Sequence, residues 1–531
     1  MDTRTRYGGL YAQDSWKVTP NFTVNLGLRY EVSMPWYDTQ GRLNTIIPGV
    51  QSTIFPTAPK GWLVPGDPGV PSTITPTDWN NLAPRVGIAY SPNTSGGFLG
   101  KVLGGPGKTS IRAAFGQYFQ AQENLGNFGV MGDAPYGQYW QSPLPTMFDT
   151  PFQTRSDGTS QGQRFPFVMP IPGAPGNKTL DWTQFLPLLG PGYSVNNVLP
   201  YALHYNFTVQ RELSKSTVLT VAYVGTQAHH LMAQYPANPG SAAKCFALNA
   251  AGATPTCGPN GELRTYTLPS GEKVYGTTTA FPKEFSSVLQ WNETVANSNY
   301  NALQVTAERK ASDLTFLMSY TWSKSIDNAS IQGDYMNHLN HRITRALSAF
   351  DMAHNFVASY NWAMPFDRAF GGLPKRLTSG WNLSGITRLT TGLPVKINQG
   401  SGDIALLGRS GLDTPNIVAP VVIQDPRNAG PDGRPNTYFL KSSFVSENLG
   451  VIGNSNRRFF HGPGIVSTDF GMSKAIPIRE SSSVQIRAEF FNIFNHANFN
   501  NPGGNFSSGT FGLVTSAKAP RIGQLSARFV W

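Results

Sequence analysis

Several side-chain groupings in this sequence have the types and spacing to do chemistry. The run GTSQG, Gly158 to Gly162, has the spacing of a nucleophile elbow. That motif holds its serine on a tight strand-to-helix turn. Here no strand-like run precedes it and no helical run follows, so the context is missing. His338 and His341 are three residues apart, and His229 and His230 are adjacent. Either pair could offer two imidazoles, but a zinc site needs three or four ligands, and no Cys/His cluster supplies the rest. Asp327, Asp334 and Asp351 are acids in or beside one loop-like stretch, without the oxygen-ligand repeat of a calcium loop. The expectation is therefore no catalytic residue, no metal and no cofactor: this is not an enzyme. Cys245 and Cys257, the two cysteines, lie in the loop-like run CFALNAAGATPTC. In an exported protein they would be expected to pair, and otherwise to remain free thiols.

What positions these groups is a chain rich in turns and strands. It has 55 Gly and 41 Pro, which punctuate turns, and 12% aromatics, which favour strands. No apolar run approaches the length of a membrane-spanning helix. Mean hydropathy is −0.25, a value a membrane β-barrel also produces, because its strands alternate lipid-facing and water-facing residues. The opening MDTRTRYGGLYAQDSW has no apolar core, so no leader peptide is read there. Net charge is +11, yet the Lys and Arg are scattered singly rather than in a dense run. This fits an anionic membrane surface or solubility, and nucleic acid is not an expected partner.

The period-two alternation of a strand recurs along the chain. In FTVNLGLRY, Phe22, Val24, Leu26, Leu28 and Tyr30 share one face, and Thr23, Asn25, Gly27 and Arg29 the other. YALHYNFTVQ, LTFLMSYTW, FVASYNW and VQIRAEF repeat the pattern. So does the final IGQLSARFVW, where Leu525, Ala527, Phe529 and Trp531 oppose Gln524, Ser526 and Arg528. The reading gives about thirteen strands: 7–17, 22–31, 82–90, 109–119, 201–211, 216–226, 299–309, 314–323, 352–363, 378–398, 465–475, 482–495 and 519–531.

Shorter and longer links alternate between these strands. An up-and-down meander puts alternate links at opposite ends, so one end carries tight turns and the other long loops. Outer-membrane barrels have short periplasmic turns and long extracellular loops, and strands of about ten residues suit a tilted bilayer span. Trp16, Tyr30, Tyr90, Tyr223, Trp322 and Trp362, near strand ends, would suit interfacial girdles. The fold expected is all-β, an antiparallel transmembrane up-and-down β-barrel. In such a barrel Arg29, His204, Arg487, Glu489 and Arg528 face the lumen. They could line a permeation path, or simply be ion-paired and solvated there.

YGGLYAQDSWKVTPNFTVNLGLRYE resembles the barrel of TonB-dependent outer-membrane receptors of the Oar-like branch. AFDMAHNFVASYNWAMPF, GWNLSGITRLTTGLPV, FHGPGIVSTDFGMSKAIPIRESSSVQIRAEFFNIFNHANFNNP and FGLVTSAKAPRIGQLSARFVW resemble later strands of the same family, in the same order. The resemblance covers essentially residues 1–531, most firmly at both ends. It implies a barrel of about 22 strands, of which about thirteen are expected here, with the signal peptide, plug and first strands absent. It implies the outer membrane of a Gram-negative-type bacterium and uptake of a large or scarce substrate. It implies contact with outer-membrane lipid and lipopolysaccharide, with an unknown extracellular ligand, and with the TonB complex only through the absent plug. Loops 120–200, 227–298 and 399–464 would recognise the substrate. Leu525, Ala527, Phe529 and Trp531 resemble the C-terminal signal read by the barrel-assembly machinery, with Trp where Phe is usual. The second reading is a non-transporting surface protein, an adhesin or structural barrel that binds through its long loops.

Overall fold

The computed structural model describes residues 2–121, 133–137, 148–150, 169–286, 289–331, 333–400, 402–479 and 482–531. Thirteen strands form one uninterrupted antiparallel path in which each pairs with its neighbours in sequence order. They are β1 (Tyr7–Thr19), β2 (Phe22–Ser33), β3 (Leu82–Tyr90), β4 (Thr109–Phe119), β5 (Tyr201–Ser214), β6 (Thr217–Pro236) and β7 (Gln290–Lys310). The path continues through β8 (Leu314–Asp327), β9 (His354–Ala363), β10 (Trp381–Thr390), β11 (Ile465–Arg479), β12 (Ser482–Phe491) and β13 (Ile522–Val530). Two short strands extend the sheet: Pro191–Tyr193, parallel to the start of β7, and Ala346–Leu347, antiparallel to the end of β8. No helix among the described residues is long and apolar enough to cross a membrane.

Each strand forms where the alternation foretells. The register keeps like faces together: Val221, Val305 and Tyr320 fall in one row across β6, β7 and β8, and Tyr223, Leu303 and Trp322 in the next. Tight links close one end, as between Thr19 and Phe22 and between Ser214 and Thr217. The girdle aromatics sort into two levels. Trp16, Tyr90 and Trp362 lie towards the tight turns, and Tyr30, Tyr223 and Trp322 towards the long loops.

Three boundaries differ most from the sequence reading. β6 and β7 run 20 and 21 residues, far into the stretch read as a loop over 227–298. At roughly 3.3 Å per residue they exceed any tilted bilayer span. Beyond Tyr223 the lipid-side positions turn polar (Gln227, His229), because this part stands above the membrane and packs on loops. The register shifts between Ala228 and Ala233 mark the transition. The strand read as 378–398 is only Trp381–Thr390, since Gly392 and Pro394 end the pairing. Cys245 lies not in a loop but in the helix Ala242–Ala250, where the Ser241 hydroxyl caps the Lys244 amide at 3.2 Å.

Candidate functional site

The chain keeps its packed apolar core in the long loops. A strand wall with lipid on one side and water on the other has nothing to pack against. The loops do, and they fold onto one another as a cap. Phe55, Trp62, Trp182 and Phe285 come from three different loops, with ring centroids 5.7–6.5 Å apart between Phe55 and Trp182, Trp62 and Trp182, and Trp62 and Phe285. Phe439, Phe444 and Phe511 form a second cluster at 5.0–5.8 Å. A third is built on Cys245 and Cys257, joined with a Cα–Cα distance of 5.4 Å, and on Leu248, Tyr266 and Leu406. Asn249 braces this bond, accepting from the Cys257 amide at 2.7 Å and donating to its carbonyl at 3.0 Å. Each large side chain so buried contributes about 1.5–3 kcal/mol.

Polar contacts set the loop paths. Asp67 is buried and accepts from the Ser52 hydroxyl and the Thr53, Ile54 and Val64 amides at 2.7–3.2 Å. Burial alone would raise its pKa, but these donors hold it below the usual range. The three acids that look scattered in sequence all have partners. Asp334 takes Arg457 (2.8 Å), Arg458 (2.9 Å) and Lys396 (2.8 Å); Asp327 takes Arg457 (2.6 Å); Asp351 takes His461 (2.7 Å). Burial pushes the Asp334 carboxyl up, but Lys396, Arg458 and Arg457 bring it down to about 2. A second group makes no ion pair among the described residues. Asp413, Glu447, Asp403 and Glu262 are buried together, and Asp413 Oδ1 and Glu447 Oε1 have no hydrogen-bond partner among the described residues. All four are raised, first by burial, then in Asp413 by the charges of Glu447 and Asp403.

Three of the four candidate histidines make structural contacts, while His338 Nδ1 is buried with no hydrogen-bond partner among the described residues. His229 Nδ1 is 2.8 Å from Asn297 Oδ1, His230 Nδ1 is 3.3 Å from the Thr294 carbonyl, and His341 packs 5.5 Å from the Tyr235 ring. Among the described residues, no group of three or more His, Cys, Asp or Glu is placed to hold a metal ion. GTSQG lies outside the described residues, as does part of the 120–200 loop.

Below the cap, the polar sheet face carries the lumen candidates. Arg487 and Glu489 pair at 2.5 Å, Gln524 donates to Glu489 at 2.7 Å, and Arg528 lies opposite Gln485 on the adjoining strand. The sheet brings these three together on β12 and β13. Arg29 and His204 are elsewhere, on β2 and β5. Arg29 pairs with Glu31 and donates to Tyr7 Oη at 2.8 Å, and His204 Nδ1 is 3.0 Å from Thr226 Oγ1. One row runs Gly27, Arg85, Gly116, His204, Thr226 and Tyr300 across six strands. In it Arg85 lies 4.2 Å over the Tyr118 ring, and Tyr118 meets His204 edge-on at 5.1 Å. The sequence reading missed Arg85 and Tyr118, although both occupy polar-face positions of alternating runs. On the opposite face of β13, Leu525 pairs with Ala488, Ala527 with Ile486 and Phe529 with Val484, while Trp531 stacks on Phe529 at 5.9 Å.

An antiparallel wall with two aromatic levels, an apolar and a polar face, and long loops at one end defines an outer-membrane β-barrel protein. The sequence matches the outer membrane beta barrel domain over residues 1–524, and the chain belongs to that family. No curated protein matches it. Among solved structures it is similar to the outer membrane transporter YddB from Escherichia coli (9% identity, TM-score 0.45, covering 99% of this chain and 45% of that one). It is also similar to the FrpB iron transporter from Neisseria meningitidis (9%, 0.42, 99% and 46%) and to the ferripyoverdine receptor of Pseudomonas aeruginosa (10%, 0.39, 99% and 39%). The chain thus spans less than half the length of each of these structures.

Proposed function

We propose that this chain is the wall and extracellular cap of a TonB-dependent receptor of the Oar-like kind, taking up a large or scarce substrate. The observation that carries the reading is the cap. Five of the long loops, 34–81, 169–200, 237–289, 391–464 and 492–521, contribute to its apolar cores, and the 328–353 loop is tied in by the Asp327–Asp334–Arg457–Arg458 cluster. Such a cap presents a preorganised surface, which lowers the ordering cost of binding. The polar row from Arg85 to Tyr300 and the Arg487–Glu489–Arg528 group give a substrate path its hydrogen-bonding wall. The Oar-like motifs quoted above supply the link to TonB, which acts through a plug domain.

The test is comparative analysis of spent medium from cells with the intact locus, cells with the locus deleted, and cells lacking TonB. The reading expects at least one compound depleted only when both locus and TonB are present. Cap binding to a polymer or surface without such depletion would replace it with an adhesin.

A further inference from the structure

We propose that two links at the tight-turn end, 91–108 and 364–380, are interfacial anchors that turn outward over the rim and lie in the phospholipid leaflet on that side. The strand wall must face lipid to be a barrel at all. A link at its rim need not, and tight turns serve other strand pairs at this end. The first link carries the helix Gly97–Leu103, and the second carries the helical turns Phe366–Ala369 and Lys375–Thr378. Six large apolar side chains stand out on them: Phe98, Leu99 and Val102 on the first, Phe370, Leu373 and Leu377 on the second, each 43–79% exposed. Single exposed apolar residues are ordinary, but six on two segments of one rim form patches that need a cover. In the first helix Phe98, Leu99 and Val102 share one arc, and Lys101 falls outside it.

Two cations fix the direction in which the links turn. Arg211 shares the lipid-side face of β5 with Tyr205, Phe207 and Val209, and it donates to the Val102 carbonyl and, at 3.0 Å, to the Lys101 carbonyl. Lys474 shares the lipid-side face of β11 with Phe470 and Met472, and its ammonium donates to the Ser379 carbonyl and, at 3.1 Å, to the Leu377 carbonyl. Trp381 Nε1 donates to that same Leu377 carbonyl at 2.8 Å, and Lys474 lies 5.1 Å from the Trp381 ring. In each link the free carbonyls of a helical end are thus held by a cation from the outside of the wall. This draws both links to the lipid side of the rim rather than beneath the lumen. They also leave from the aromatic girdle: Tyr90 precedes the first, and Trp362 and Trp381 flank the second. The apolar patches therefore continue the lipid-facing surface at the level where it meets water. The charge agrees. The two links hold five Lys or Arg and one acid, Asp367. Lys108 pairs with Glu212 at 2.8 Å, while Lys101, Arg368, Lys375 and Arg376 form no ion pair among the described residues. Unpaired cations beside exposed apolar side chains suit a segment lying among phosphate heads. A protein partner would also cover the patches, but it would not require both links to turn to the lipid side. The inference rests on the membrane placement of the wall and not on transport, so its failure leaves the uptake reading intact.

The experiment uses the whole chain folded into nanodiscs of phosphatidylethanolamine and phosphatidylglycerol. With Cys245 and Cys257 joined, an added cysteine is the one thiol to label. Leu99→Cys, Leu373→Cys and, at the exposed tip of a cap hairpin, Ser270→Cys each carry an environment-sensitive fluorophore. Heat-modified mobility shows that each variant still folds. Quenching is read with iodide in the water and with lipids brominated at defined acyl carbons. The labels at the Leu99 and Leu373 positions should be shielded from iodide and quenched by acyl bromines, at a depth of about 5–10 Å in the boundary of head groups and chains. The label at the Ser270 position should show the reverse. Iodide quenching at the two link positions as strong as at Ser270 would overturn the proposal and leave a protein partner to cover the patches. Shielding from iodide without acyl quenching would overturn it too, because the links would then be covered by the protein itself.

Discussion

Arg457 Nη1 lies 2.8 Å from Asp334 Oδ2 although 123 residues separate them, and both side chains are buried. The same guanidinium reaches Asp327 through Nη2 at 2.6 Å, so one arginine fastens the top of β8 and two loops. Removing one partner of a buried pair strands the other charge, at a cost of about 3–5 kcal/mol. Asp334→Asn should therefore loosen the 328–353 and 391–464 loops while leaving the wall folded. Limited proteolysis should cut these loops faster at unchanged heat-modified mobility. Unchanged cleavage would show that the cluster is not what ties them.

The disulfide closes a separation of 12 residues around the helix Ala242–Ala250. Constraining so short a loop is worth roughly 2–4 kcal/mol. Reduction, or Cys257→Ser, should raise hydrogen exchange across the 242–257 segment. Exchange in β6 should not change, because its pairing with β5 and β7 involves neither cysteine.

On the lipid face, Tyr205 lies over Gly225, its registered partner on β6. Any Cβ at Gly225 would sit 2.1 Å from the Tyr205 ring. Freed of that clash, the Tyr205 hydroxyl donates to Asn301 Oδ1 at 2.8 Å, where Tyr223 also donates. Gly225→Ala should expel the ring and cost about 1–3 kcal/mol. The temperature of the heat-modified mobility change should fall, and by more than for Tyr205→Phe, which loses one hydrogen bond and keeps the packing.

The strands were legible because lipid on one side and water on the other impose a strict period of two, with no tertiary partner needed to see it. The cap was not legible, for a related reason. Its contacts join distant segments: Trp62 with Trp182, Lys396 with Asp334 at 62 residues, Arg457 with Asp327 at 130. Asp327, Asp334 and Asp351 therefore read as scattered acids, since nothing local announces their cations. β6 and β7 look shorter in the sequence than they are, because alternation of apolar with polar residues stops once a strand leaves the bilayer, even though its pairing continues. The alternation assigns Arg29 and His204 to their strands, but that they stand three strands apart emerges only from the sheet order.

The two buried acid groups predict opposite responses to pH. Asp334, brought down to about 2, binds fewer protons folded than unfolded over the range from its ordinary value downward. Its contribution is present above about pH 4 and lost as pH falls through the folded value. Asp413, Glu447, Asp403 and Glu262 are raised. They keep protons that the unfolded chain releases above about pH 4, so stability falls as pH rises towards their folded values. The 403–413 and 447–453 segments should hence exchange faster at about pH 9 than at about pH 6, after correction for the intrinsic rate, while β5 to β7 do not change. Asp413→Asn removes the charge that Glu447 must oppose and should flatten this dependence. A steepening on the alkaline side in the variant would mean that the pair is held by something other than a shared proton.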